Sequence, residues 1–316
     1  MWWRGAGFRR WRRLVVTALV GLLGGAVVVA VDHSAARGAV IGAWTDLVPG
    51  STAAVPAGSA GCRPGADSVV SAPDPSASDG HRAVWVHRPA GVDDATVPVL
   101  YLLHGYPGDP ADVAAGDLPG LLDRQMCRTG RPFVVAAPDG RAGDTDTEWG
   151  DDAGGSFAIE RFVTTTAVAL VEGAERRAPA LRAIGGFSMG GYGATVLALR
   201  HPDLYTQVAA FAGYYHADDP DGVFDDDAAH APDRLVAPGS GQRYFLVEGA
   251  DEDTALMRGS VRGEADRFAV LLRRAGVTVA VSHPAGGHSY GVWYSQSAAM
   301  VTFLTVGWAA GTARTR

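Results

Sequence analysis

Two pentapeptides in this chain have the form Gly-x-Ser-x-Gly: Gly186-Phe187-Ser188-Met189-Gly190 and Gly287-His288-Ser289-Tyr290-Gly291. A serine hydroxyl is a weak nucleophile until a tight turn presents it beside a base. Flanking glycines let the backbone turn that sharply. In a chain with 42 glycines, chance supplies roughly 0.3 such patterns, so context must separate the two. Residues 181–187 read as a buried strand running into the first pentapeptide, and a small-residue helix, GYGATVLALRH, follows at once. The second pentapeptide lies on a proline- and glycine-rich loop. Ser188 is therefore the expected nucleophile, and Ser289 a turn residue.

A serine nucleophile needs a base, and the base needs an orienting acid. On a strand–turn–helix of this kind both follow the serine, acid before histidine. His288 is the last histidine, follows the last predicted strand, and sits on a glycine-rich loop from which its ring can reach Ser188. The others fit less well. His33, His81 and His87 precede the sheet core, His201 opens a His-Pro step, His216 and His230 lie in an acidic loop, and His283 is still within a strand. The acid is expected after the strand at 244–247, where the loop reads Gly249-Ala250-Asp251-Glu252-Asp253. In hydrolases built this way the acid commonly stands third after the glycine, which points to Glu252. Asp251 and Asp253 stay open.

The oxyanion formed by attack needs two N–H donors. Met189 follows the nucleophile at a helix start, where the dipole assists. The second donor should come from His104-Gly105-Tyr106-Pro107-Gly108, after the apolar run 97–103, with the Tyr106 amide the best placed. His104 is read as packing beneath the site.

These residues need a scaffold of strands that end together. Short strand-like runs recur at 82–88, 97–103, 133–137, 181–187, 207–211, 244–247 and 277–282. Helical spacing appears between them at 157–177, 189–200, 264–275 and 294–305. The alternation predicts an α/β fold, a mainly parallel sheet covered by helices on both faces.

Composition narrows the chemistry further. All 27 basic residues are arginine. Without lysine there is no P-loop lysine, no Schiff base and no Ser-Lys dyad. Five arginines, Arg4, Arg9, Arg10, Arg12 and Arg13, leave a formal charge of −12 on the remainder of a chain whose total is −7. An acidic body without a basic stripe argues against nucleic acid as a partner.

Residues 14–31 form an uncharged apolar run after a basic segment at 1–13. Its length approaches the roughly 30 Å of a bilayer core. It is expected to be a single-pass anchor with the body outside the cytoplasm. Small residues at Ser34-Ala35-Ala36 keep cleavage and secretion as the alternative. Residues 32–66 read as a linker, 67–310 as the folded domain and 311–316 as a tail. In an oxidising compartment Cys62 and Cys127 are expected to pair. Six aspartates within residues 218–227 lack the EF-hand spacing and read as a solvated loop.

The motifs together resemble the esterase family that includes S-formylglutathione hydrolases (esterase D), feruloyl esterases and mycolyltransferases. The resemblance covers about 80–305 and rests on G-F-S-M-G-G-Y-G, L-L-H-G-Y, Ala137-Pro138-Asp139-Gly140, His201-Pro202-Asp203 and the stretch from Gly287 to Trp293. It implies an α/β-hydrolase fold, an acyl-serine intermediate, no cofactor, and an oxyanion donor at Tyr106. Mycolyltransferases carry aspartate at the position of His104 and arginine at that of Pro107, so trehalose transfer is not implied. The expected function is hydrolysis of a small-molecule or lipid ester. Acyl transfer to a sugar or lipid hydroxyl is the nearest alternative, and a non-catalytic envelope binding protein is the alternative of another class.

Overall fold

The computed structural model describes residues 62–314, except 115 and 175. The expected anchor at 14–31 and nearly all of the linker lie outside the described residues. Among the described residues, no helix is long and apolar enough to cross a membrane.

The strands are β1 (Ala66–Pro73), β2 (His81–Arg88), β3 (Val99–Leu103), β4 (Val134–Pro138), β5 (Arg182–Phe187), β6 (Gln207–Phe211), β7 (Arg243–Val247), the two-residue strands β8 (Ala255–Leu256) and β9 (Gly259–Ser260), and β10 (Thr278–Ser282). Eight of them form one sheet in the order β1-β2-β4-β3-β5-β6-β7-β10. β1 pairs antiparallel with β2, and β2 with β4; every other neighbour is parallel. The parallel strands β3 to β6 are buried along their whole length, as expected when helices cover both faces. One face packs against 159–172 and Glu264–Arg274, through Phe162, Val168, Phe268 and Leu272. The other packs against Leu118–Thr129 and Ser297–Arg314, through Leu122, Met126, Val301 and Leu304.

Several boundaries differ from expectation for visible reasons. β1 begins where the linker was expected to end. It is an exposed edge strand, ADSVVSAP, whose polar residues hide its alternation. Helix Leu118–Thr129 places Leu118, Leu122 and Met126 on one buried stripe, but Gly116, Pro119 and Gly120 disguise its start. The helix expected over 157–177 runs 159–172, through a π-turn at Phe162–Ala167, and stops at Gly173. The last helix, Ser297–Arg314, runs past Thr305 and into the expected tail. Gly307 is a packing contact there and no breaker, since a Cβ on it would lie 2.0 Å from the Gln207 side chain.

Candidate active site

Every parallel strand delivers its following loop to the carboxyl edge of the sheet, where sites in such folds assemble. β5 is followed at once by Ser188, which has φ 56° and ψ −119° and leads into helix Met189–Arg200. A non-glycine residue held at positive φ stores backbone strain. Here the turn is clamped: the Ser188 N–H donates to Phe211 O at 2.8 Å, while Ser188 O accepts from the Gly191 and Tyr192 amides at 2.8 and 3.1 Å. Gly190 permits the close approach, because a Cβ on it would stand 2.3 Å from Leu103 O and 2.6 Å from His104 O. The elbow is thereby jammed against the turn after β3. That turn closes with Gly108 N–H donating to Gly105 O at 2.8 Å.

Of the three consecutive carboxylates after β7, Asp251 and Asp253 are exposed and Glu252 is 1% exposed. A tight turn, Glu252 N–H to Gly249 O at 3.1 Å, swings Glu252 inward. Its Oε2 lies 2.9 Å from His288 Nδ1, and its Oε1 accepts from Thr254 N–H at 3.0 Å. Burial pushes the Glu252 carboxyl up, but the bonds from His288 and Thr254 outweigh it and hold the group down at about 2. Asp251 instead accepts from Gly286 N–H at 3.2 Å.

Trp293 brings the serine and histidine loops together. It stacks on Phe187, with centroids 5.2 Å apart, and meets the His288 ring edge-on at 5.0 Å. Among the described residues no hydrogen bond joins the Ser188 hydroxyl to His288. Such bonds are often formed only once substrate closes the site. Ser289 caps helix Tyr290–Tyr294, its hydroxyl accepting from Val292 N–H at 3.3 Å, as befits a turn residue. His283 pairs with Asp266 and not with Glu252.

The two amides expected to face an oxyanion flank Ser188. Met189 is the first helical residue, so its N–H has no carbonyl one turn earlier to satisfy. Tyr106 follows Gly105, and a Cβ on Gly105 would stand 3.4 Å from Ser188 Cβ. The Tyr106 hydroxyl donates to Asp144 O at 2.8 Å, tying this turn to the loop after β4. His104 lies beneath, 1% exposed.

Sequence reasoning missed a buried acidic layer beside the elbow. Glu148 and Trp149 are consecutive non-glycine residues at positive φ, and a Cβ on Gly193 of the elbow helix would lie 2.5 Å from Trp149. Tyr214 donates to Glu148 at 2.6 Å and stacks on Tyr192 at 4.7 Å. The aspartate run is solvated only in part: Asp221, Asp225 and Asp226 are exposed, while the start of the run is tied to other segments. Asp218 is buried and accepts from Met257 and Arg258 amides, Asp219 accepts from Val223 and Phe224, and Asp221 accepts from Asp146 N–H at 2.7 Å. Among the described residues, no cluster of histidine, cysteine and carboxylates is arranged to hold a metal.

Cys62 and Cys127 are joined by a disulfide, with Cα atoms 5.4 Å apart. Cys127 lies at the end of a helix that leads into β4, so the bridge sits at the amino edge of the sheet, across from Ser188.

Residues 76–304 match the Esterase family. No curated protein sequence matches the chain. Among solved structures, a ferulic acid esterase superposes with TM-score 0.63 at 22% identity, covering 77% of this chain and 98% of its own. An S-formylglutathione hydrolase from Agrobacterium tumefaciens gives 0.61 at 20%, covering 78% and 95%. MPT51 (FbpC1) of Mycobacterium tuberculosis gives 0.59 at 21%, covering 77% and 98%. These likenesses establish the α/β-hydrolase fold.

Proposed function

The chain belongs to the Esterase family, and from that premise we propose that it is a serine carboxylic-ester hydrolase working through an acyl-serine intermediate. The carrying observation is the buried Glu252 carboxylate hydrogen-bonded at 2.9 Å to His288 Nδ1. That bond keeps the Nε2 lone pair directed outward as a base. In the proposed reaction Ser188 Oγ attacks the ester carbonyl while His288 Nε2 takes its proton. The Met189 and Tyr106 amides receive the developing oxyanion. His288 then protonates the departing alcohol, and water, deprotonated by the same nitrogen, releases the acid and restores Ser188. The imidazolium formed in each half is compensated by Glu252, which stays ionised throughout.

Labelling with a fluorophosphonate tests this reading: wild type should react and Ser188→Ala should not. Failure of folded wild type to react would overturn it. Water and an acceptor hydroxyl compete for the same acyl-enzyme, so product analysis with a sugar acceptor present separates hydrolysis from transfer.

The proposed setting is outside the cytoplasm, with the domain carried on an N-terminal anchor or released after cleavage. The basic segment before the apolar run and the Cys62–Cys127 bridge support it. Membrane fractionation of the full chain, with cytosolic recovery of reduced protein as the opposing result, tests it.

A further inference from the structure

The Tyr106 amide can receive an oxyanion only if its peptide plane is held in one orientation. The carbonyl of that same plane, Gly105 O, accepts from Gly108 N–H at 2.8 Å and lies 2.9 Å from His104 Nδ1. On the other side of the ring, Gly140 N–H donates to His104 Nε2 at 3.0 Å. A nitrogen that accepts from an amide carries no proton, so the neutral ring bears its proton on Nδ1 and donates it to Gly105 O. Both lone pairs of that carbonyl are then occupied. The Gly105–Tyr106 peptide is trans, and in a planar trans peptide the N–H points opposite to the C=O. Fixing the carbonyl therefore aims the N–H. The ring itself is immobilised: it is buried, Trp149 packs on it with centroids 4.8 Å apart, and Trp149 Nε1–H donates to His104 O at 3.2 Å.

We infer that His104 is a positioning residue, which orients the Gly105–Tyr106 peptide toward the oxyanion by donating from Nδ1 to the Gly105 carbonyl. The inference rests on the esterase reading above and on Tyr106 as oxyanion donor. His104 touches no reacting atom; it transmits the position of the loop after β4, through Gly140, to the turn after β3. The ring must stay neutral to do so. Burial pushes it down and prevails over the pull of the Gly105 carbonyl and of Asp139, Asp109 and Asp112.

The test compares His104→Asn, whose amide nitrogen stands near the place of Nδ1, with His104→Gln, whose amide nitrogen reaches toward that of Nε2. In nitrophenyl ester turnover, His104→Asn should keep kcat within about tenfold of wild type, and His104→Gln should lose about 10²-fold in kcat with KM little changed. Equal kcat in the two variants, or a loss confined to KM, would overturn the inference, since a packing role alone lowers Tm in both without separating them. Wild-type protein labelled with ¹⁵N-histidine provides a measurement independent of variant folding. At pH 7 the His104 ring should be neutral with its proton on Nδ1, and a proton on Nε2 or a charged ring sinks the idea. Failure of the esterase reading looks different, because wild type itself would then neither turn over esters nor take the fluorophosphonate.

Discussion

At the scale of single residues, the turn at Ser188 could be read from the sequence because it depends on local backbone. Ser188 needs a strand, a glycine-flanked turn and a helix in immediate succession, all of which are contiguous in the chain. The acid was harder, since Asp251, Glu252 and Asp253 share charge and neighbourhood. One turn hydrogen bond buries Glu252 and leaves the other two in solvent. Glu252→Gln should therefore lower kcat by about 10³–10⁴-fold, as loss of a triad acid does elsewhere. Asp251→Asn and Asp253→Asn should stay within about threefold, because exposed carboxylates contribute little. Steady-state kinetics of the three variants checks this.

At the scale of elements, two buried clusters make stability depend on pH in measurable ways. His87 is buried between Asp67, at 2.6 Å, and Asp123, at 3.0 Å, joining β1, β2 and helix Leu118–Thr129. Burial pushes its imidazole down, but the hydrogen bonds it donates to Asp123 and Asp67 outweigh burial and raise it. The folded chain thus holds that proton more tightly than the unfolded chain. This stabilisation is complete below the ordinary histidine value of about 6.5 and is lost as pH rises through the raised one. Wild-type Tm should fall across that rise, and His87→Gln should remove the step. Asp146 behaves as a carboxyl held in an unfavourable place. Burial, with Asp221, Asp218 and Asp219 nearby, pushes it up to about 7 despite a backbone bond from Glu148, and among the described residues its buried Oδ1 has no partner. Its cost grows from the ordinary aspartate range to about pH 7 and is full above that. Asp146→Asn should therefore raise Tm more at pH 8 than at pH 5, by on the order of 2 kcal/mol in stability. An equal gain at both values would refute the assignment.

At the scale of the molecule, the disulfide and the charge act over long distances. Cys62 and Cys127 are 65 residues apart in sequence, and closing a loop of that length constrains the unfolded chain by about 4 kcal/mol on an entropic account. Cys62→Ser with Cys127→Ser should lower Tm by roughly 8–16 °C and leave kcat of the folded enzyme unchanged, because the bridge lies at the edge of the sheet opposite Ser188. The acidic body bears on substrate choice. Exposed Asp144, Asp251 and Asp253 stand on the loops around the site, so kcat/KM for an anionic ester should rise with added salt while that for a neutral ester stays flat.

Features with local physics can be read from residues in succession: the strained serine turn, the alternation that makes a parallel sheet, the histidine on a glycine-rich loop, and the mechanisms closed to a chain without lysine. The folded chain alone shows which of three adjacent carboxylates faces His288 and that Asp218 and Asp221 accept from amides of other loops. It likewise shows that His104 bonds the carbonyl of the turn beside Ser188. Each of these is a hydrogen bond or a burial between segments distant in sequence, and no spacing within one segment encodes which partner another segment will bring.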